Sequence, residues 1–264
     1  MTITFLGTGT SQGIPVIGSD HPVCLSDDPR DTRLRVSVLI EWDQYHYVID
    51  CGPDFRAQML GTLSRKRTPS GDLVSLDGIL FTHEHADHVA GLDDIRPFVF
   101  RQGAISIYAH RRVLTTLKER FDYIFATENR YPGAPSVSTH EVLNNESLSL
   151  GEMEVIPIEG YHGKLQVFGY RFDKIAYLTD IKTIASEELK KLQGLDILVI
   201  NALRYEEHYT HLNVAEALEL IKQIQPKKTY FTHISHHMGF HAEVEAKLPD
   251  NVHLAYDGLT LTIP

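Results

Sequence analysis

The densest group of potential metal ligands in the sequence is the stretch THEHADH at residues 82–88. Four candidate donors lie within six residues: the imidazoles of His83, His85 and His88 and the carboxylate of Asp87. Nitrogen and carboxylate oxygen donors at this density suit a borderline-soft divalent ion. Alternate side chains of an extended or turning segment point the same way, so we expect His83, His85 and Asp87 to face one direction and His88 another. The segment predicts a metal centre.

Three further candidate ligands each stand just beyond an apolar run that is predicted to be a strand: His162, Asp180 and His233. Layered α/β folds gather their sites at such strand ends. Together with the first group they make seven donors. That number is suitable for two ions bridged by a carboxylate and a hydroxide.

The elements that would position these residues follow from apolar periodicity. Strands are predicted over 3–6, 36–42, 45–49, 78–81, 155–158, 166–172, 175–178 and 197–200, with Asp43 and Gln44 at a hairpin turn. Helices are predicted over 185–192, over 214–224 and from near His110, with Asn213 and Glu216 as a capping pair. The aromatic and proline-containing segment 121–135 is predicted to be a loop or lid. Strands between helices indicate an α/β layered fold.

The ligand pattern resembles the signature of the metallo-β-lactamase superfamily, and the similarity runs from GTGTSQGIP at residues 7–15 to Tyr256-Asp257-Gly258. The resemblance implies one α/β domain over residues 1–264, an αββα sandwich of two mixed β-sheets flanked by helices. It implies that one ion is held by His83, His85 and His162. It implies that the other is held by Asp87, His88 and His233, with Asp180 bridging the two.

Two positions narrow the chemistry within this superfamily. His85 stands where the di-iron flavoproteins carry a glutamate, which disfavours redox chemistry. Asp180 stands where lactamases with a related motif usually carry a cysteine, which disfavours β-lactam hydrolysis. An all nitrogen and oxygen donor set suits phosphoester hydrolysis by two metal ions.

Within the superfamily, the sequence is most similar to the phosphodiesterases that open phosphoribosyl 1,2-cyclic phosphate. The matching stretches are residues 7–15, 168–170, 209–213 and 232–236. This resemblance implies hydrolysis of a small cyclic or linear phosphodiester by attack of a metal-bound hydroxide on phosphorus. It implies two divalent ions, Zn²⁺ or Mn²⁺, and a homodimer.

The departing ribose oxygen of such a substrate needs a proton, and histidine is the natural acid near neutral pH. We expect His211, just before the capped helix, to supply it, with His208 as the competing candidate. Asp87 completes the expected catalytic set. For either histidine, the alternative is a surface imidazole at a helix start.

The related phosphodiesterases carry a cysteine-rich loop that binds an extra structural zinc together with a later histidine. Here the corresponding loop keeps only Cys24, with Ser19 and His21 at positions where cysteines are expected. Two interpretations stay open. Either His21, Cys24 and His236 hold a third, structural Zn²⁺, or the loop is held by packing alone.

The bulk composition limits the partners. The net charge of −10 and the pI of about 5.8 argue against an extended nucleic-acid surface. Two cysteines cannot build a disulfide framework, and neither a signal-like start nor an apolar run of membrane-spanning length is present. We therefore expect a cytoplasmic protein that does not engage a membrane.

Three other functions share the ligand motif. A tRNA 3′-processing endonuclease is disfavoured because the sequence has no long Gly/Pro-rich arm and no basic footprint. A thioester hydrolase of the glyoxalase II type is disfavoured by the similarity outside the ligand motif. A non-catalytic metal-binding protein of quinone cofactor synthesis stays open, because a fold and its ligands do not prove turnover.

Overall fold

The computed structural model describes residues 1–263. The chain forms two compact units that interleave along the sequence. The first comprises residues 1–6, 37–142 and the segment that starts at Thr260, and the second comprises residues 7–36 and 143–259. The expectation of a single domain stays a prediction.

The first unit is built on a seven-stranded sheet in the order β15-β1-β2-β3-β4-β5-β6. Its strands are β1 (Thr2–Gly7), β2 (Ser37–Trp42), β3 (Tyr45–Ile49), β4 (Gly78–Leu80), β5 (Ile105–Ala109), β6 (Val137–Glu141) and β15 (Thr260–Thr262). The predicted hairpin is confirmed: β2 and β3 are antiparallel, with Asp43 at a φ of 48° in the turn. From β3 to β6 the neighbouring strands are parallel, so their carboxyl ends share one edge.

The helices of the first unit are α1 (Phe55–Gly61), α2 (Ala86–Val89), α3 (Arg96–Gln102), α4 (Arg111–Arg120) and α5 (Asp122–Phe125). One face of the sheet contributes Leu39, Val48, Ile79 and Ile107 to a buried cluster with apolar residues of α1, α3 and α4. These four positions lie one per strand on β2 to β5, as the alternation of side chains on a pleated sheet requires.

The aromatic segment 121–135 differs from a simple loop. Its first residues form the single helical turn α5, in which Ile124 is buried in the core of the first unit. Phe121, Tyr123 and Phe125 pack against the same core. Residues 126–135 are irregular, as expected. Burial of apolar side chains therefore holds the start of the segment in place. The prolines and glycine of the segment predict a loop, so the sequence does not reveal this helical turn.

The second unit is built on an eight-stranded sheet in the order β11-β8-β9-β10-β12-β13-β14, with β7 paired to β8. Its strands are β7 (Leu148–Leu150), β8 (Met153–His162), β9 (Leu165–Phe172), β10 (Ile175–Leu178), β11 (Thr183–Ile184), β12 (Ile197–Asn201), β13 (Lys228–Thr232) and β14 (Val252–Leu254). The run from β10 to β14 is parallel. Its strands therefore end at a common edge.

The helices of the second unit are α6 (Ser186–Lys190), α7 (Val214–Ile224) and α8 (His241–Glu245). The predicted capping pair is confirmed, because Asn213 accepts from the Glu216 N–H at 2.8 Å and Glu216 accepts from the Asn213 N–H at 2.9 Å. In the part of the chain that the structure describes, every helix is too short or too polar to cross a membrane.

Candidate metal centre

The histidine-rich segment of the first unit starts where β4 ends, and Asp50 fixes that start. The Thr82 N–H donates to Asp50 Oδ1 and the Thr82 hydroxyl donates to Asp50 Oδ2, both at 2.8 Å. Asp50 is fully buried just after β3 and has a left-handed φ of 65°. Burial raises the pKa of Asp50, while His88 and Thr82 stabilise its ionised form. The buried carboxylate of Asp50, at the end of β3, thus fixes the start of the histidine-rich segment.

The side chains of His83 and His85 lie next to each other, in line with the expectation that they point the same way. The Nδ1 of His83 lies 3.0 Å from the Thr82 hydroxyl, which already donates to Asp50, so this nitrogen carries the proton. The Nε2 of His83 keeps the lone pair and lies 3.0 Å from the Nδ1 of His85. Two nitrogen ligands of a tetrahedral zinc are separated by about 3.3 Å. The pair therefore fits two positions around one ion.

The expectation that Asp87 continues an alternating extended segment is wrong, because Asp87 and His88 both lie in the short helix α2. The carboxylate of Asp87 is nevertheless 3.3 Å from the Nε2 of His88. The Nδ1 of His88 lies 2.7 Å from Asp50 Oδ2. His88 is also brought next to His83, with ring centroids 4.1 Å apart. The turn of the helix rather than strand alternation brings these donors together.

Gly91 allows α2 to approach the end of β3. A Cβ at this position would lie 2.0 Å from the Gly52 carbonyl oxygen. The Gly91 N–H donates to the Cys51 carbonyl at 2.9 Å, and the Cys51 N–H donates to the His88 carbonyl at 2.8 Å. A glycine is required here for steric reasons, not for its φ angle. Cys51 itself is fully buried, as expected for a small core residue.

In the second unit, Asp180 follows β10 and His233 follows β13, both in a left-handed conformation with φ of 57° and 55°. The Nε2 of His233 lies 3.1 Å from Asp180 Oδ1, and both side chains are almost fully buried. The Thr179 hydroxyl donates to the same carboxylate oxygen at 2.7 Å. The parallel strands β10 and β13 thus deliver an acid and an imidazole to one edge, as the sequence indicated.

His162 and His211 complete the group in the second unit. The Nδ1 of His162 lies 2.9 Å from the Thr210 carbonyl oxygen, to which it donates, so its Nε2 carries the lone pair. His162, Asp180 and His211 each offer a donor atom within 4.8 Å of the others. The buried Nδ1 of His211 lacks a hydrogen-bond partner among residues 1–263. These features fit a divalent cation.

The structure separates the two candidate acids. His211 is buried, and its ring is stacked on that of His233 at 4.7 Å and tilted against that of His162 at 4.5 Å. Burial and then His233 lower the pKa of His211 to about 2, while Asp180 opposes this shift. His208 is half-buried with its ring 5.0 Å from His211. Burial and then Arg204 lower the pKa of His208. His211 therefore lies among the candidate ligands and His208 lies beside them.

The candidate residues for a third metal also lie in the second unit. The ring centroid of His21 is 5.0 Å from that of His236 and 5.4 Å from that of His237. The Cys24 sulfur accepts from the Val16 N–H at 3.5 Å. The structure thus brings His21 and His236 together and adds His237. The third zinc stays a prediction.

Comparison with known proteins assigns the chain to a family. A family model of the β-lactamase superfamily domain matches residues 45–234, which is more than half of the chain. The chain belongs to this family. It is also similar to the crystal structure of a new diphosphatase from the PhnP family, at 40% sequence identity and a TM-score of 0.88. That match covers 98% of this chain and 96% of the other, and it confirms the predicted α/β sandwich class with two mixed sheets.

Two curated relatives carry other names. Octanoyltransferase of Porphyromonas gingivalis is 39% identical over 265 residues, which is 100% of this chain and 52% of that protein. Ribonuclease Z of Bacillus velezensis is 26% identical over 177 residues, which is 65% of this chain and 48% of that protein. The chain therefore spans about half the length of the curated relatives that it matches.

The sequence reasoning missed Asp50, which contacts both Thr82 and His88. The signal that selected Asp180, an acidic residue directly after an apolar strand, is present at Asp50 as well. The contacts of Asp50 reach residues more than thirty positions away, at sequence separations of 32 and 38. Without the parallel pairing of β3 and β4, nothing in the sequence links these residues.

Proposed function

We propose that the chain is a metal-dependent phosphodiesterase that hydrolyses a small cyclic or linear phosphodiester with two divalent ions. The observation that carries this proposal is the Asp180–His233 pair, because a buried carboxylate oxygen 3.1 Å from an imidazole nitrogen offers the oxygen and nitrogen donors that divalent ions take. Family membership and the His/Asp donor groups support the broader class of metal-dependent hydrolases. The similarity to a PhnP-family diphosphatase favours phosphorus chemistry within that class.

The residues that would hold the ions are the seven that the family pattern implies: His83, His85, Asp87, His88, His162, Asp180 and His233. When bound, two divalent ions would supply positive charge to a phosphodiester and a nucleophile from water at neutral pH. The protein fixes the imidazoles in advance. Hydrogen bonds hold the proton on the Nδ1 of His83 and of His162, so each presents its Nε2 lone pair.

Protonation of the leaving oxygen is assigned to His211, with His208 as the competing donor. The Nδ1 of His208 accepts from the Thr210 N–H at 3.3 Å, so its Nε2 carries a proton. The buried Nδ1 of His211 lacks a partner among residues 1–263. Burial lowers the pKa of both rings, so a bound phosphodiester anion would have to raise that pKa before either ring could donate a proton to the leaving oxygen near neutral pH.

The proposal is tested by hydrolysis of bis(p-nitrophenyl) phosphate by protein loaded with Mn²⁺ or Zn²⁺. The Asp180→Asn variant keeps the shape and the left-handed backbone that asparagine tolerates, and should lose nearly all turnover. Asp173→Asn is the matched control. Asp173 has a φ of 47° and an exposed side chain in the β9–β10 turn, so this variant should keep wild-type activity. Absence of turnover in wild-type protein that binds both metals would reject the phosphodiesterase.

The remaining alternatives are outcomes of the same assay panel. Cleavage of precursor tRNA would favour the tRNA 3′-processing activity, and the 26% identical Ribonuclease Z makes that substrate worth including. Turnover of a glutathione thioester would favour the glyoxalase II type. Stoichiometric metal binding without any turnover would favour the non-catalytic role. We also propose a homodimer, which light scattering of the purified protein would test directly.

A further inference from the structure

We propose that Arg33 is a positioning residue that acts through Thr8 to hold the His233 turn in its metal-binding conformation. The inference rests on the proposed metal-binding role of His233, although not on the phosphodiesterase activity. It concerns a buried hydrogen-bond network within the second unit, in which Arg33 and Thr8 lie 200 and 225 residues before His233 in the sequence.

His233 adopts a backbone conformation that must be enforced. A φ of 55° is disfavoured for residues other than glycine, and such residues persist only where neighbouring structure holds them. The next residue provides the hold: the Ile234 N–H donates to the Thr8 carbonyl at 2.9 Å, and the Thr10 N–H donates to the Ile234 carbonyl at 3.1 Å. The segment 8–10 therefore fixes, by two backbone hydrogen bonds, the residue that directly follows His233.

The segment 8–10 is fixed from its other side by the segment 33–36. The Gly9 N–H donates to the Leu34 carbonyl at 2.8 Å, and the Val36 N–H donates to the Gly9 carbonyl at 3.0 Å. A Cβ on Gly9 would lie 3.0 Å from the Arg33 Cβ, so the two segments are in close contact. Any shift of the 33–36 segment is passed through Gly9 to the residues that hold His233.

Arg33 joins the side chain of Thr8 to this arrangement. Its side chain is almost fully buried, and its Nη1 donates to the Thr8 hydroxyl at 2.7 Å and to the Ala255 carbonyl at 2.5 Å. The Thr8 hydroxyl donates onward to Asp257 at 2.7 Å. The second oxygen of Asp257 accepts from the Leu34 N–H at 2.6 Å. The network therefore connects the segment 8–10 with the segment 33–36 through side chains as well as through the backbone.

Burial of the Arg33 guanidinium indicates that its role is to position Thr8 rather than to stabilise the fold. Removing a charge of this size from water is costly, and apolar replacements of buried ionic groups are often neutral or stabilising. Burial lowers the pKa of Arg33 to about 10, which leaves it charged at neutral pH. Its Nη2 lies 3.1 Å from the Nδ1 of His241, so both terminal nitrogens of the guanidinium make directional contacts. Such contacts fix the position of Thr8 in a way that packing alone does not.

The test measures metal binding rather than turnover. Arg33→Met protein is loaded with Zn²⁺, and the two dissociation constants are measured by competition with a chromogenic chelator. We expect the ion that His233 would hold to bind at least about tenfold more weakly, as when a partner of a metal ligand is lost. The dissociation constant of the other ion should stay at the wild-type value. Arg30→Met is the matched control, because Arg30 belongs to the same loop but pairs with Asp28 instead. It should bind both ions like the wild type.

A second pair of variants covers the case in which Arg33→Met does not fold. Thr8→Val removes only the hydroxyl and should weaken the same ion, whereas Thr8→Ser keeps the hydroxyl and should restore binding. Wild-type metal affinity in folded Arg33→Met or in Thr8→Val, with or without a lower Tm, would overturn the proposal. Lack of phosphodiester hydrolysis by the wild type would leave this result standing, so the two failures are distinguishable.

Discussion

The Nδ1 of His88 lies 2.7 Å from the Oδ2 of Asp50, and both side chains are fully shielded from solvent. The contact places the proton of the imidazole on Nδ1 and the lone pair on Nε2, the nitrogen on the side of Asp87. A carboxylate behind a ligating histidine fixes the orientation of the ring and raises its basicity. We therefore expect Asp50 to orient His88 for a metal, although Asp50 does not belong to the predicted ligand set.

Replacing Asp50 with Asn should weaken metal binding by about 10- to 100-fold, because the carboxylate accepts through both oxygens and the NH2 of the amide would face a donor, either the Thr82 N–H or the Thr82 hydroxyl and His88. The measurement is the dissociation constant for Zn²⁺ by chelator competition. Asp43→Asn is the control, because Asp43 is exposed in the β2–β3 turn and has a φ that asparagine tolerates. Unchanged affinity in folded Asp50→Asn would contradict this role.

The assignment of the general acid predicts a dependence on the leaving group. His211→Gln should lower kcat for a 2′,3′-cyclic nucleotide, whose leaving group is an alkoxide, by roughly 100-fold or more. The loss on bis(p-nitrophenyl) phosphate should be much smaller, because p-nitrophenolate leaves without a proton. His208→Gln should affect both substrates weakly.

The reverse result, with the leaving-group effect in His208→Gln only, would transfer the role to His208. Loss of one bound metal in His211→Gln, with both substrates affected equally, would make His211 a ligand instead. That outcome is a real alternative because His211 lies with His162 and Asp180 in one group of donors. Metal content by atomic absorption therefore accompanies each kinetic measurement.

Most of the regular elements could be predicted because they rest on local patterns. The β2–β3 hairpin and helix α7 each combine apolar periodicity with a turn or capping signal, and both are confirmed. The prediction was wrong where a helix as short as α2 left too few residues for a period. A stretch of four residues cannot show helical periodicity, so the sequence predicts only an extended or turning segment at Asp87.

The candidate ligands could be identified as residue types at strand ends, but the groups that orient them could not. Asp50, Thr8 and Arg33 act across sequence separations of 25 to 38 residues or through backbone carbonyls. A hydrogen bond made by a backbone group does not depend on the side chain, so it cannot be recognised from the amino-acid sequence. The sequence therefore indicates the candidate metal ligands but not the contacts that fix their geometry.

Gly91 should not tolerate a methyl group. In Gly91→Ala the new Cβ would meet the Gly52 carbonyl at 2.0 Å and the Phe55 Cβ at 2.9 Å, which forces the backbone apart. Overpacking of this kind should lower the free energy of unfolding by about 3 kcal/mol. Gly61→Ala is the control, because nothing lies within 4 Å of its added Cβ at the end of α1. Urea unfolding of both variants decides the matter, and equal stabilities would show that α2 does not need this close approach.

His241 should make the protein less stable in acid. Burial, followed by the charges of Arg33 and Arg30, lowers its pKa from 6.5 to about 4, while Glu245 and Asp28 oppose the shift. The unfolded chain therefore binds a proton at a higher pH than the folded chain does. The contribution of this histidine is fully present above pH 6.5 and is lost as the pH falls towards 4.

A shift of this size amounts to about 2 kcal/mol between pH 7 and pH 5. His241→Asn keeps an acceptor for Arg33 near the position of Nδ1 but cannot take up a proton in this range. We expect its unfolding free energy to fall by about 2 kcal/mol less than that of the wild type over this interval. Urea titrations in EDTA at both pH values measure the difference without a contribution from metal release. His140→Asn, which removes an exposed imidazole, should keep the wild-type pH dependence, and equal slopes for all three proteins would show that His241 is not the group that senses acid.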